Sequence, residues 1–139
     1  MKAIKQLAMI FVIFFMASVC TAAPAAMPEK YNLDNQLEVV SEITDNNFRD
    51  WEKVDNQSFI FQNSPSEFYL IILSGPSDEL SFNDSVKIGE KNSIIKPGKS
   101  RVIISSSGIK ERYVISKIYK LKDADQADEI REQLTRATK

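Results

Sequence analysis

From Ile43 onward, residues that force turns interrupt the chain at short intervals: Asp55-Asn56, Asn63-Ser64-Pro65-Ser66, Ser74-Gly75-Pro76-Ser77, Asn83-Asp84, Gly89, Pro97-Gly98 and Ser107-Gly108. All four glycines fall in this set, spaced 14, 9 and 10 residues apart. A helix of ordinary length does not fit between such breaks, whereas a short strand does. The runs between them are β-branched and aromatic: Phe59-Ile60-Phe61, Phe68 to Leu73, Val86 to Ile88, Ser93 to Ile95, Val102 to Ile104 and Tyr113 to Leu121. This rhythm predicts a mainly β (α+β) domain, a small antiparallel barrel or sandwich of about six or seven strands.

Phe68 to Leu73 is apolar at every position, which predicts a central strand covered on both faces. In the run from Arg112 to Leu121, strict alternation places Tyr113, Ile115, Tyr119 and Leu121 on one face with Lys117, and Val114, Ser116 and Ile118 on the other. A bulge near Lys117 would remove that conflict. The period then changes. Ala124, Ala127, Ile130, Leu134 and Ala137 form one helical stripe, Asp123 and Gln126 have the spacing of a capping box, and a single helix is predicted over 123–136, lying against the sheet.

The N-terminus reads differently. Lys2 and Lys5 precede an apolar run from Leu7 to Val19, and small residues follow, the order of a secretory signal peptide spanning 1–22, with cleavage after Ala22 or Ala25. The run is shorter than the ~20 residues of a permanent span. Those 22 residues hold 17 of the 60 apolar residues and the only cysteine, Cys20. Cys20 is also the one candidate for lipid attachment, but Ala17-Ser18-Val19 is a poor match to a lipoprotein signal. Residues 23–42 are small, polar and Pro-containing, and are read as a lead-in or linker to a single domain over 43–139.

Composition restricts the chemistry. Of 139 residues none is histidine, and loss of the signal segment leaves no thiol. A Ser-His-Asp triad, a Cys-His pair and imidazole or thiolate metal sites are thereby excluded, and neither a cofactor nor a metal is expected. Without Lys2 and Lys5, 16 basic residues face 19 acidic ones, a net charge of −3, which gives no general attraction to nucleic acid or to anionic lipid. Ser-x-x-Lys occurs at Ser93-Lys96 and Ser107-Lys110, neither at the start of a helix. The spacing Asp123-x-Asp125-x-x-Asp128 lacks the glycine and the glutamate of a calcium loop and fits a helix start instead. Lys110, Arg112, Tyr113, Lys117, Tyr119, Lys120 and Lys122 read as a solvated sheet face.

The remaining candidate surface is Arg49 to Asn56, from which Arg49, Asp50, Trp51, Asp55 and Asn56 are taken as binding residues around the only tryptophan. Asn56-Gln57-Ser58 and Asn83-Asp84-Ser85 match a glycosylation sequon and are read as turn chemistry.

Arg49-Asp50-Trp51-x-x-Val54-Asp55-Asn56-Gln57-Ser58, the strand Tyr69-Leu70-Ile71-x-Leu73 with Pro76-Ser77, and Tyr113-x-Ile115-x-Lys117-Ile118-Tyr119-x-Leu121 leading to Gln126-Ala127-x-x-Ile130-Arg131 together resemble a domain-of-unknown-function family of small exported bacterial proteins. The resemblance covers roughly residues 43–136. It implies export and a compact β-rich domain, and it brings no activity with it. Many members of that family carry cysteines in the mature domain, and this chain has none. The expectation is an exported, most simply periplasmic, non-catalytic module that binds an envelope protein or ligand. Two alternatives stay open: a carboxylate-dependent enzyme using Asp50, Glu52 or Asp55, and a structural accessory protein of the envelope.

Overall fold

A computed structural model describes residues 26–45, 50–81, 85–88, 94–106 and 108–139. The expected signal segment, Cys20 and Arg49 lie outside the described residues, as do Ser93, Ser107 and the Asn83-Asp84 turn.

The protein is mostly β, with one C-terminal helix. Each of the six apolar runs becomes a strand: β4 (Ser58–Ser64), β5 (Glu67–Leu73), β6 (Ser85–Ile88), β7 (Ile94–Ile95), β8 (Arg101–Ser106) and β9 (Ile109–Leu121). Three more precede them, β1 (Glu38–Val39), β2 (Ile43–Thr44) and β3 (Asp50–Lys53). The main sheet is antiparallel and runs β3-β4-β5-β9-β8-β6, curled into a half-barrel, while β1 adds to β9 and β2 pairs with β7 in a separate ladder. Thirteen residues long, β9 reaches across the sheet: its first half pairs with β8 and its second half with β5. Gly108, at a φ of 85°, provides the left-handed step of the tight turn between β8 and β9.

The conflict in β9 is settled by a bulge. Ile72 pairs with Lys117 and Leu73 with Ile115, so Ser116 has no partner and the face of the strand changes there. Ile115 and Ile118, three residues apart, consequently share the concave core with Phe59, Ile71, Leu73, Val102 and Ile104. Tyr119 and Leu121 turn to the convex side, where a second core gathers Leu70, Ile72, Ile60 and Val54. Between these two layers β5 is buried from Tyr69 to Leu73, as its unbroken apolar run predicts.

The helix α1 (Ala124–Arg136) covers the convex side. Asp123 caps it, accepting from the Gln126 amide at 2.8 Å, and the Gln126 side chain accepts in return from the amide of Lys122 at 2.7 Å. Ala127, Ile130 and Leu134 are buried, whereas Ala124 and Ala137 at the ends of the stripe are exposed.

The expected loose lead-in is corrected over its described part. Residues 26–42 form a strap in which Tyr31, Leu33 and Leu37 are buried in the convex core beside α1, and β1 joins the sheet edge. Tyr31 closes a 3-10 turn over Glu29–Tyr31, and Leu33 and Leu37 follow on irregular backbone. Neither a helical nor a strand period describes such positions, although they bury as much as a regular element would.

Candidate functional site

The expected binding segment falls on β3, the strand that ends the sheet path, and on the turn after it. Alternation along β3 sends Asp50 and Glu52 outward and Trp51 toward the concave side. Trp51 is half-buried, packed against the concave core with its ring edge-on to Phe59 at 6.0 Å and 82°. It forms the rim of that core, the role its aromatic area favours.

Two hollows meet at Trp51. On the concave side, between β3 and β6, a cavity of about 20 Å³, room for one water molecule, is lined by Asp45, Asp50, Trp51, Phe61, Val86 and Ile88. Toward the helix, a cleft of about 290 Å³ is bounded by Asp50, Trp51 and Glu52 of β3, Ile60 and Gln62 of β4, Phe68, and Ala124, Ala127 and Asp128 at the start of α1. Its floor is apolar and its rim acidic. Arg131 spans that rim, paired with Glu52 and, at 2.8 Å, with Asp128. Two of the three rim carboxylates are therefore held by one guanidinium, and among the described residues no cluster of acidic side chains is suited to hold a metal ion.

Asp55 corrects the expectation of an exposed binding group. It is 5% exposed and serves as a fastener. Its carboxylate accepts from Lys30 Nζ at 2.9 Å, the Tyr31 hydroxyl at 2.8 Å, the Gln57 amide at 2.9 Å and the Ser58 hydroxyl at 2.8 Å. Burial opposes its ionisation, but Lys30 and the surrounding donors outweigh burial and hold the carboxyl below the usual carboxylate range. Burial first, then the Asp55 carboxylate, pushes the Tyr31 hydroxyl upward. The bond from the Gln57 amide makes Asp55-Asn56-Gln57 an Asx turn, which is the turn chemistry expected of the sequon. Asn56 is exposed, and its carbonyl accepts from the Ser77 amide at 2.6 Å.

A second fastener joins the strap to β9. The Tyr119 hydroxyl accepts from the Leu33 amide at 2.9 Å and lies 2.7 Å from Asp34 Oδ1, and Lys117 pairs with the same carboxylate. The Lys117 ammonium, and after it the Tyr119 hydroxyl, hold the Asp34 carboxyl below its ordinary range. Partners 85 residues apart leave no local pattern to read. Of the sequence-predicted set, the structure brings Asp50 and Trp51 to one cleft, assigns Asp55 to the interior and leaves Asn56 on the turn beyond.

A family model described as Family of unknown function (DUF6491) matches residues 3–138. No curated protein and no solved structure matches the chain.

Proposed function

The chain belongs to DUF6491, a family of unknown function, and we propose that the β3 rim is the binding surface of an exported, non-catalytic module of the bacterial cell envelope, working in the periplasm. The observation that carries this reading is the position of Trp51. An aromatic side chain, half-exposed on the last strand of a curled sheet, stands between an apolar interior and an open cleft of about 290 Å³. Aromatic groups so placed are the usual anchors of protein recognition. The neighbouring charges, Asp50 and Glu52, surround it with a polar rim.

The carboxylate-enzyme reading needs an acid and a base with unlike environments facing one hollow. Glu52 and Asp128 instead share Arg131, and Asp55 is consumed by the strap. Binding is the simpler use of the site.

A photo-crosslinking residue placed at Glu52 in living cells tests the proposal. A discrete adduct at Glu52, absent when the probe is moved to the exposed Lys99 on the turn before β8, is the expected outcome. Equal adducts at both positions, or none at Glu52, would contradict it.

A further inference from the structure

The convex face of the sheet is divided. Over β4, β5 and the second half of β9 it is packed against α1 and the strap. Over β6, β8 and the first half of β9 it carries cations. Register aligns Lys87 with Ile103 and Ile103 with Arg112, Arg101 with Val114, and Ser105 with Lys110. Directly opposed residues of antiparallel strands share a face. The alternate positions Ile88, Val102, Ile104 and Ile115 fill the concave core. Lys87, Arg101, Lys110 and Arg112 therefore stand together on the convex side, all exposed, with Ile103 and Val114 half-buried among them. No carboxylate occupies a register position on this face among the described residues.

Acidic residues gather on β3 and the exposed side of α1, as Asp50, Glu52, Asp125, Asp128, Glu129 and Glu132, while Glu111, between Lys110 and Arg112 in the chain, lies on the concave side opposite Ile104. A net charge of −3 for residues 23–139 thus averages surfaces of opposite sign.

We propose that this basic sheet face docks on an anionic bilayer surface. Rows about 5 Å apart, with side chains about 7 Å apart along each strand, present the four cations as a plane and not as a pocket. Headgroups that diffuse laterally satisfy such a plane without a fixed complementary shape. Among the described residues the face bears no aromatic side chain on which bases stack, which disfavours single-stranded nucleic acid. Among those residues it also lacks the aromatic anchor typical of a protein interface.

The test is co-sedimentation of the full chain with phosphatidylcholine vesicles, pure or containing about 30 mol% phosphatidylglycerol, at about 0.05 M and about 0.5 M salt. The apolar N-terminal run enters both vesicle types alike, but Lys2 and Lys5 beside it favour the anionic one, so every ratio of partition coefficients is measured in a Lys2→Gln with Lys5→Gln background. The expected ratio is far above one at low salt, collapses at high salt, and falls about fivefold for each cation removed. Lys87→Gln with Arg101→Gln, and separately Lys110→Gln with Arg112→Gln, each lower it, and the fourfold variant abolishes it. Lys120→Gln with Lys122→Gln, outside the face, leaves it unchanged. The paired variants keep the test valid should the fourfold variant fail to fold. A ratio near one with the face unaltered would overturn the proposal, as would folded variants that retain the preference. So would a salt-sensitive complex with single-stranded RNA, or self-association, that anionic vesicles do not displace.

Discussion

The two cores on either side of the main sheet are built on different terms. The concave core draws on residues that alternate along strands, Phe59 and Phe61, Tyr69, Ile71 and Leu73, Val102 and Ile104, and the polar side chains buried beside it bond to backbone, Asn63 donating to the Thr44 carbonyl and Ser77 accepting from the Leu80 amide. The convex core is assembled from three stretches, the strap, the sheet and α1, and it contains the hydroxyls of Tyr31 and Tyr119. Each hydroxyl meets a carboxylate, Asp55 or Asp34, and each carboxylate meets a lysine, Lys30 or Lys117. Neutral side chains bonded to backbone complete the first core, whereas the second adds charged fasteners that fix where an irregular segment lies. The same division runs through the Arg49–Asn56 segment, since Trp51 belongs to the rim of the first core and Asp55 to the fastening of the second.

The largest effects are expected where the concave core is hollowed. Ile71→Ala should cost about 2–5 kcal/mol, read as a lower denaturant midpoint with an unchanged slope. Asp55→Ala leaves Lys30, the Tyr31 hydroxyl and the Gln57 amide without their common acceptor and should cost about 3 kcal/mol. A smaller loss, on the order of that from a surface charge, would show that water replaces the carboxylate and would weaken the contrast between the cores.

The fasteners also set a pH window. Asp55 has a depressed carboxyl, so its contribution is complete above about pH 4 and is lost as the pH falls through the folded value. Tyr31 has a raised hydroxyl, so its contribution is complete below about pH 10 and is lost as the pH rises beyond that. Thermal stability should be flat between those limits in the unaltered chain, and Tyr31→Phe should remove the alkaline decline that Tyr31 causes. Tyr31→Phe should itself cost about 1 kcal/mol and expose strap amides around 33–37 to hydrogen exchange before those of β5. Simultaneous loss of protection in both regions would merge the two cores into one unit. Asp123→Ala, which removes only the cap of α1, should cost about 1 kcal/mol. Glu132→Ala, which frees Arg136 from an exposed pair at 2.9 Å, should cost at most about 0.5 kcal/mol.

What the amino-acid order discloses follows the same boundary. The central place of β5, the bulge in β9 and the cap of α1 are local patterns, a continuous apolar run, a broken alternation and a capping pair, and each is found where the sequence places it. The strap is invisible by those rules because Tyr31, Leu33 and Leu37 obey no period. Asp55 reads as a surface charge because the groups that justify its burial, Lys30 and Tyr31, are 25 and 24 residues away. Strand β3 goes unread because Asp50 and Glu52 frame its tryptophan with charge, although alternation with an inward Trp51 is what the strand shows.

The account assigns Trp51 to recognition and Asp55 to architecture within one short segment. Trp51→Ala, measured at once for thermal stability and for the adduct formed through a photo-crosslinker at Glu52, separates the two roles most directly. The prediction is a folded protein, destabilised by about 2 kcal/mol because the side chain is only half-buried, that no longer forms the adduct. A variant that fails to fold would place Trp51 among the groups that hold the core, and a folded variant with an undiminished adduct would remove it from the binding surface.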